Sequence, residues 1–225
     1  MIIVVILLIS FLATFPTVVD AIPANISVLA TTLASSRELS NINICGCPLN
    51  DVPPPINDPS AKLDGPSPGL ALKYVALGRG TQNYSCPSAS NAVPTAIGAV
   101  ATLFDASCLA VTFPNILNNM PPALVQMSQN ATFATAMALD QLSSAKNGSL
   151  VLGQHYFVDS VTPSFDFRNF GHPDWIEATK EESVSAPPYS IPGSVPWLKL
   201  GCKAGSGIKV SVLKLSMLIN CAVHY

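Results

Sequence analysis

Charge is scarce in this chain of 225 residues. Asp, Glu, Lys and Arg make up 11% of it, against about 25% in an ordinary soluble domain. Arginine occurs only as Arg37, Arg79 and Arg168, and the net charge is −2. Nucleic acid is bound by a basic stripe that neutralises phosphates, so this balance excludes it as a partner. Histidine is confined to His155, His172 and His224, which leaves few groups for acid–base chemistry near neutral pH. Beyond the N-terminus no apolar run approaches the roughly 20 residues of a membrane helix. There are no internal repeats, and no Gly-x-Ser-x-Gly elbow of the kind that presents a hydrolase serine.

What is abundant is apolar, small and proline-rich. Hydrophobic residues reach 49%, with 20 prolines and six cysteines. Met1–Phe15 is almost wholly apolar, and Val19-Asp20-Ala21 then offers the small-x-small pattern of a leader cleavage site. Residues 1–21 therefore read as a signal peptide, cut after Ala21, and the mature chain as extracellular, with no membrane partner after cleavage. Four sequons, at Asn25, Asn83, Asn130 and Asn147, agree with that route. In an exported chain, Cys45, Cys47, Cys86, Cys108, Cys202 and Cys221 read first as disulfides. Cys86 and Cys108 each end a strand-like segment and are the first pairing to expect, with Cys45 and Cys47 as further candidates. No metal site is expected, because Cys45-Gly-Cys47 has one spacer where a zinc knuckle has two to four.

Residues 22–69 read as an N-terminal extension, with a weak helical stretch around Thr31–Leu39 and seven prolines between Pro48 and Pro68. Residues 70–209 read as a β-rich domain. Leu70–Leu77 and Thr81–Cys86 suggest a hairpin about Gly78-Arg79-Gly80. Ala96–Phe104, Ser149–Asp159, Pro163–Phe167 and Pro196–Leu200 suggest further strands. A helical insertion at 110–145 holds Ile116–Met120, Ala123–Gln129 and Ala134–Leu142, the first two opening at prolines. Residues 171–194 read as loop. Short strands between turn residues argue for a mainly β fold, an antiparallel sandwich or barrel with a short helical insertion.

Four segments in order, Leu72–Cys86, Gly98–Cys108, Gly153–Phe157 and Val195–Leu200, resemble the secreted fungal members of the domain of unknown function 3455 family. The resemblance runs from about Pro66 to Lys209 and implies a β-rich extracellular domain with no established activity. Gln154 stands where many relatives have a second histidine, and Cys202 where a small residue is usual. The resemblance also implies that residues 210–225 are an aberrant tail and that the last strands are missing. Val210-Ser211 after Lys209 is what an intron donor GTAAGT, read in frame, would encode.

Some relatives carry a malate dehydrogenase label, which the residues do not support. Gly78-x-Gly80-x-x-Asn83 is the nearest approach to a dinucleotide fingerprint, but it lacks the third glycine and a helix opening to hold pyrophosphate. No cofactor is expected. The weak catalytic candidates are His155 with Asp159 or Asp166, and His172 with Asp174. Asp105, Asp159, Asp166 and Glu177 show no spacing that marks a glycosidase pair. Tyr156, Phe157, Trp175 and Trp197 could stack on a glycan but suit a core equally. The reading that follows is a non-catalytic extracellular or cell-wall domain binding a small molecule or glycan. The alternative is an enzyme built on His155.

Overall fold

Strand formation begins where the prolines stop. In the computed structural model, which describes residues 2–9, 43–53, 62–85, 95–143, 149–188, 194, 196–208 and 210–217, Leu72–Ser85 is one continuous strand, β2. The expected hairpin is replaced by straight pairing: Gly78 and Gly80 sit opposite Leu103 and Ala101 of β3, Thr95–Asp105. A Cβ on Gly80 would run into the backbone of Val100 and Ala101, so this glycine allows two strands to approach closely and does not make a turn.

The insertion starts earlier than expected and holds three helices: α1 (Ser107–Thr112), α2 (Pro114–Gln126) and α3 (Gln129–Ser143). Pro114 opens α2 as anticipated. Pro121 and Pro122, expected to divide it, lie inside it. Proline removes intrahelical donors, but buried Leu117 before the pair and Val125 after it pack into the same cluster, and that burial holds both halves in line.

Strands β4 (Val151–Phe157) and β5 (Pro163–Asp166) follow. The segment expected as loop then proves to contain β6, Trp175–Val184. Its buried Ile176 and Ala178 alternate with half-buried neighbours, the two-residue period of a strand with one face covered. Strand β7 is Trp197–Ser206 and β8 is Val210–Met217. From β2 to β8 each strand pairs antiparallel with the next.

A closed barrel results. The closing stave is β1, Ile2–Ile9, which lies between β2 and β8 and runs parallel to both. Residues expected to leave with a leader thus form part of the barrel in the full chain. The first residues of the expected tail form its last antiparallel strand. The Thr31–Leu39 stretch, Asn25, Cys86, Asn147, Cys221 and His224 lie outside the described residues.

Alternation along the strands gives the sheet two packed faces. Tyr74, Ala76, Ala101, Leu103, Phe165, Ile176 and Leu200 form the barrel interior. On the opposite face of β2, Val75 and Leu77 pack against Ala110, Leu117 and Val125 of the insertion. Among the described residues, no helix is long and apolar enough to cross a membrane.

Candidate functional site

Between the helical insertion and the outer wall of the barrel lies a cavity of about 270 Å³. Leu77 and Phe104 of the two adjacent strands form its floor. Leu109, Met120, Leu124 and Leu139 of the three helices form its walls. Residues Asn43 and Ile44 of the N-terminal strap complete the lining, so an extended segment closes what helices and sheet leave open.

The strap is tied down covalently. Cys47 is bonded to Cys108 on α1, across 61 residues of sequence. This corrects the expected Cys86–Cys108 pairing: the partner of Cys108 comes from the strap. Two hydrogen bonds flank the tether, from Cys47 N to Ser107 Oγ at 3.0 Å and from Gly46 N to Asp105 Oδ2 at 2.8 Å. The other oxygen of Asp105 accepts from Ser107 N at 2.7 Å. The Asp105 carboxylate thus ties the start of α1 to the strap. Cys45 is buried beside Phe104 and Leu150, whereas Cys202 is an exposed thiol.

Arg79, on the same face of β2 as Leu77, is not among the residues that line this cavity. It is 1% exposed, and burial pushes its guanidinium below the ordinary arginine range. Nη2 donates to the carbonyl oxygen of Met127 at 3.0 Å, while Nε and Nη1 have no partner among the described residues. Both Met127 and Leu77, two residues earlier on the same face of β2, line the cavity.

The histidine and carboxylates singled out from sequence are placed apart from the cavity. His155 is 2% exposed. Its ring stacks on Phe165 at 4.5 Å and meets Phe157 edge-on at 5.6 Å. Nδ1 lies 2.9 Å from the Ser164 carbonyl oxygen, and burial pushes the imidazole down to about 4. Asp159 turns its oxygens to Val161 N, Thr162 N and Thr162 Oγ1, and these bonds, the one from Val161 N foremost, hold its carboxyl low. Asp166 takes two bonds from the Arg168 guanidinium, at 2.9 and 2.7 Å, which hold it below the usual carboxylate range. The hydrogen bonds of both carboxylates therefore go elsewhere than to His155. Arg168 also covers the Trp175 ring at 4.8 Å, and Trp197 is buried. Gly78 and Gly80, the nearest match to a nucleotide turn, stand mid-strand.

His172 and Asp174 do fall near one another, around a group the sequence did not suggest. The buried Asp174 carboxylate pairs with Lys73 and accepts the Tyr74 hydroxyl. His172 touches the edge of the Tyr74 ring. Burial, and then the Asp174 carboxylate, push the Tyr74 phenol up. Gly207, at φ 78°, leaves the room that a Cβ would take from Asp174. The cluster pins β2 to the segment before β6. Asp174→Asn should lower the unfolding free energy by about 2 kcal/mol, the worth of hydrogen bonds to a charged group. Urea denaturation checks this, and an unchanged midpoint would show that the carboxylate is not structural.

The class the structure defines is a mainly β barrel walled on one side by a helical insertion, with a tethered strap completing an apolar chamber. Residues 66–214 match the family described as protein of unknown function (DUF3455), and the chain belongs to that family. The match runs past Lys209 into β8, beyond the point where the resemblance was expected to stop. No curated protein and no solved structure matches the chain.

Proposed function

We propose that this chain is an exported binding domain that holds a small apolar molecule in the cavity beneath its helical insertion, and that it is not a catalyst. The cavity of about 270 Å³ carries the reading. A dry cavity of about 150 Å³ accommodates benzene, so this one suits a guest of roughly ten non-hydrogen atoms. Its leucine, methionine and phenylalanine lining offers few partners for the hydroxyls of a glycan, which favours an aliphatic or aromatic guest. The packed, hydrogen-bonded state of His155 supports binding over acid–base catalysis. The leader pattern, the Cys47–Cys108 bond and the exposed sequon residues Asn83 and Asn130 support an extracellular, glycosylated setting.

Calorimetric titration with 1-octanol tests the cavity. The full chain should take up one equivalent, and Ala136→Phe, which adds a ring to the cavity lining, should abolish uptake. Absence of binding to the unsubstituted chain, or equal binding by the variant, refutes the reading.

A further inference from the structure

The Cys47–Cys108 bond belongs to the enclosure of the cavity. Cys108 is one of the lining residues, and Asn43 and Ile44, which complete the wall, lie just upstream of Cys47. The two sulfurs differ in access. Cys108 is 3% exposed, whereas Cys47 is half-buried between exposed Gly46 and Pro48. A thiolate arriving from solvent therefore meets the Cys47 sulfur first, and Cys108 is the leaving group. The strand ladder does not run through this bond: β2 to β8 pair in sequence order, and both cysteines lie outside them. Cutting the bond thus frees the strap from α1 while the sheet that floors the cavity stays paired.

We propose that the strap is a redox-operated lid: a dithiol reductant that cleaves Cys47–Cys108 opens the cavity wall at Asn43 and Ile44 and releases the guest. This rests on the binding reading above and adds its regulation. One thiolate of the reductant bonds to Cys47 Sγ as the S–S bond breaks, and Cys108 leaves with the electron pair and takes up a proton. The second thiol of the reductant gives up its proton and displaces Cys47, which is protonated in turn. Two electrons and two protons pass to the chain, and the reductant departs as a disulfide. The hydrogen bonds from Gly46 N and Cys47 N lie at an exposed and a half-buried position, where water competes for both partners. What then holds the strap is the burial of Cys45 and Leu49. That attraction has no direction, so it keeps the strap near for reclosure without fixing Asn43 and Ile44 in the wall.

Titration of 1-octanol into the full chain, with and without dithiothreitol, tests the lid. Alkylation and peptide mapping should find Cys47 and Cys108 free in the reduced sample, and far-UV circular dichroism follows the fold. The oxidised chain should bind about tenfold tighter than the reduced one, the worth of one half-buried isoleucine contact, with an unchanged spectrum. Reoxidation should restore the affinity. Cys47→Ser should bind as weakly as the reduced chain and ignore dithiothreitol. Equal affinity of the oxidised and reduced chains overturns the lid and leaves the cavity reading intact. So does a bond that resists dithiothreitol, or a reduced chain whose spectrum has collapsed, since the bond then holds the fold and not a lid. Binding to neither form overturns both readings. The comparison in the unsubstituted chain decides even where Cys47→Ser does not fold.

Discussion

Replacing Cys47 by serine should lower the unfolding free energy by about 4 kcal/mol, the chain-entropy value for a loop closed across 61 residues. Net stability is typically about 5–15 kcal/mol, so no other single change considered for this chain is expected to cost as much. The bond joins the strap to α1, beside hydrogen bonds from Gly46 N to Asp105 and from Cys47 N to Ser107 and the buried side chains of Cys45 and Leu49. Once the tether is lost, each of those bonds must hold an extended segment against its backbone entropy, about 1–2 kcal/mol per residue. Equilibrium denaturation reads the effect as a lower midpoint. Cys202→Ser, at an exposed position, is the control and should change stability by no more than about 0.5 kcal/mol. Because Asn43 and Ile44 line the cavity, Cys47→Ser should also weaken 1-octanol binding. A variant as stable as its parent would show that packing alone seats the strap.

Acidification should be the next largest effect. The imidazole of His155 lies inside the barrel between Phe157 and Phe165, and burial lowers its pKa from 6.5 to about 4. The unfolded chain takes up this proton as the pH passes below about 6.5, whereas the folded chain resists until about 4. Stability present above pH 6.5 is therefore lost between those values, by about 3 kcal/mol in all, and this group takes no more below pH 4. Asp159 and Asp166, both held below the ordinary carboxylate range, lose their contribution only at still lower pH. His155→Phe keeps a ring against Phe165 and cannot ionise. It should flatten the stability profile between pH 6.5 and 4, at a cost of about 1 kcal/mol at pH 8 for the bond to Ser164. A profile as steep in His155→Phe as in the parent would assign the acid sensitivity to other groups.

The barrel was legible in the sequence where local pattern and tertiary demand agree. Ala96–Phe104 and Ser149–Asp159 carry strand composition and become β3 and β4 within a few residues. The misses have physical causes. Gly78 and Gly80 mark a turn by composition, but the conformational freedom that makes glycine a turn residue also makes it the residue for close strand approach. Only the neighbouring Val100 and Ala101 decide between these uses. Pro121-Pro122 marks a break unless packing on both sides outweighs it. In β6, Ile176 and Ala178 carried the strand period, overshadowed by the prolines on either side of the segment.

The cavity was not legible, because its lining is drawn from residues as distant as Asn43 and Leu150. Histidine drew attention to His155 because its side chain titrates near neutrality. Its alternation with Gly153 and Phe157 was the signal that it faces the barrel interior. The burial of Arg79 left no sign in the sequence, since an arginine in a strand is ordinarily exposed.

The stave Ile2–Ile9 sets a contest between two uses of the same eight residues. Should a peptidase sever the chain after Ala21, the ring would open. Leu72–Gly80 on one rim and Val210–Met217 on the other would each turn a row of amides and carbonyls toward water. Such rims join one another or recruit a strand from a second molecule. Trimming would thus change the partner of these two strands.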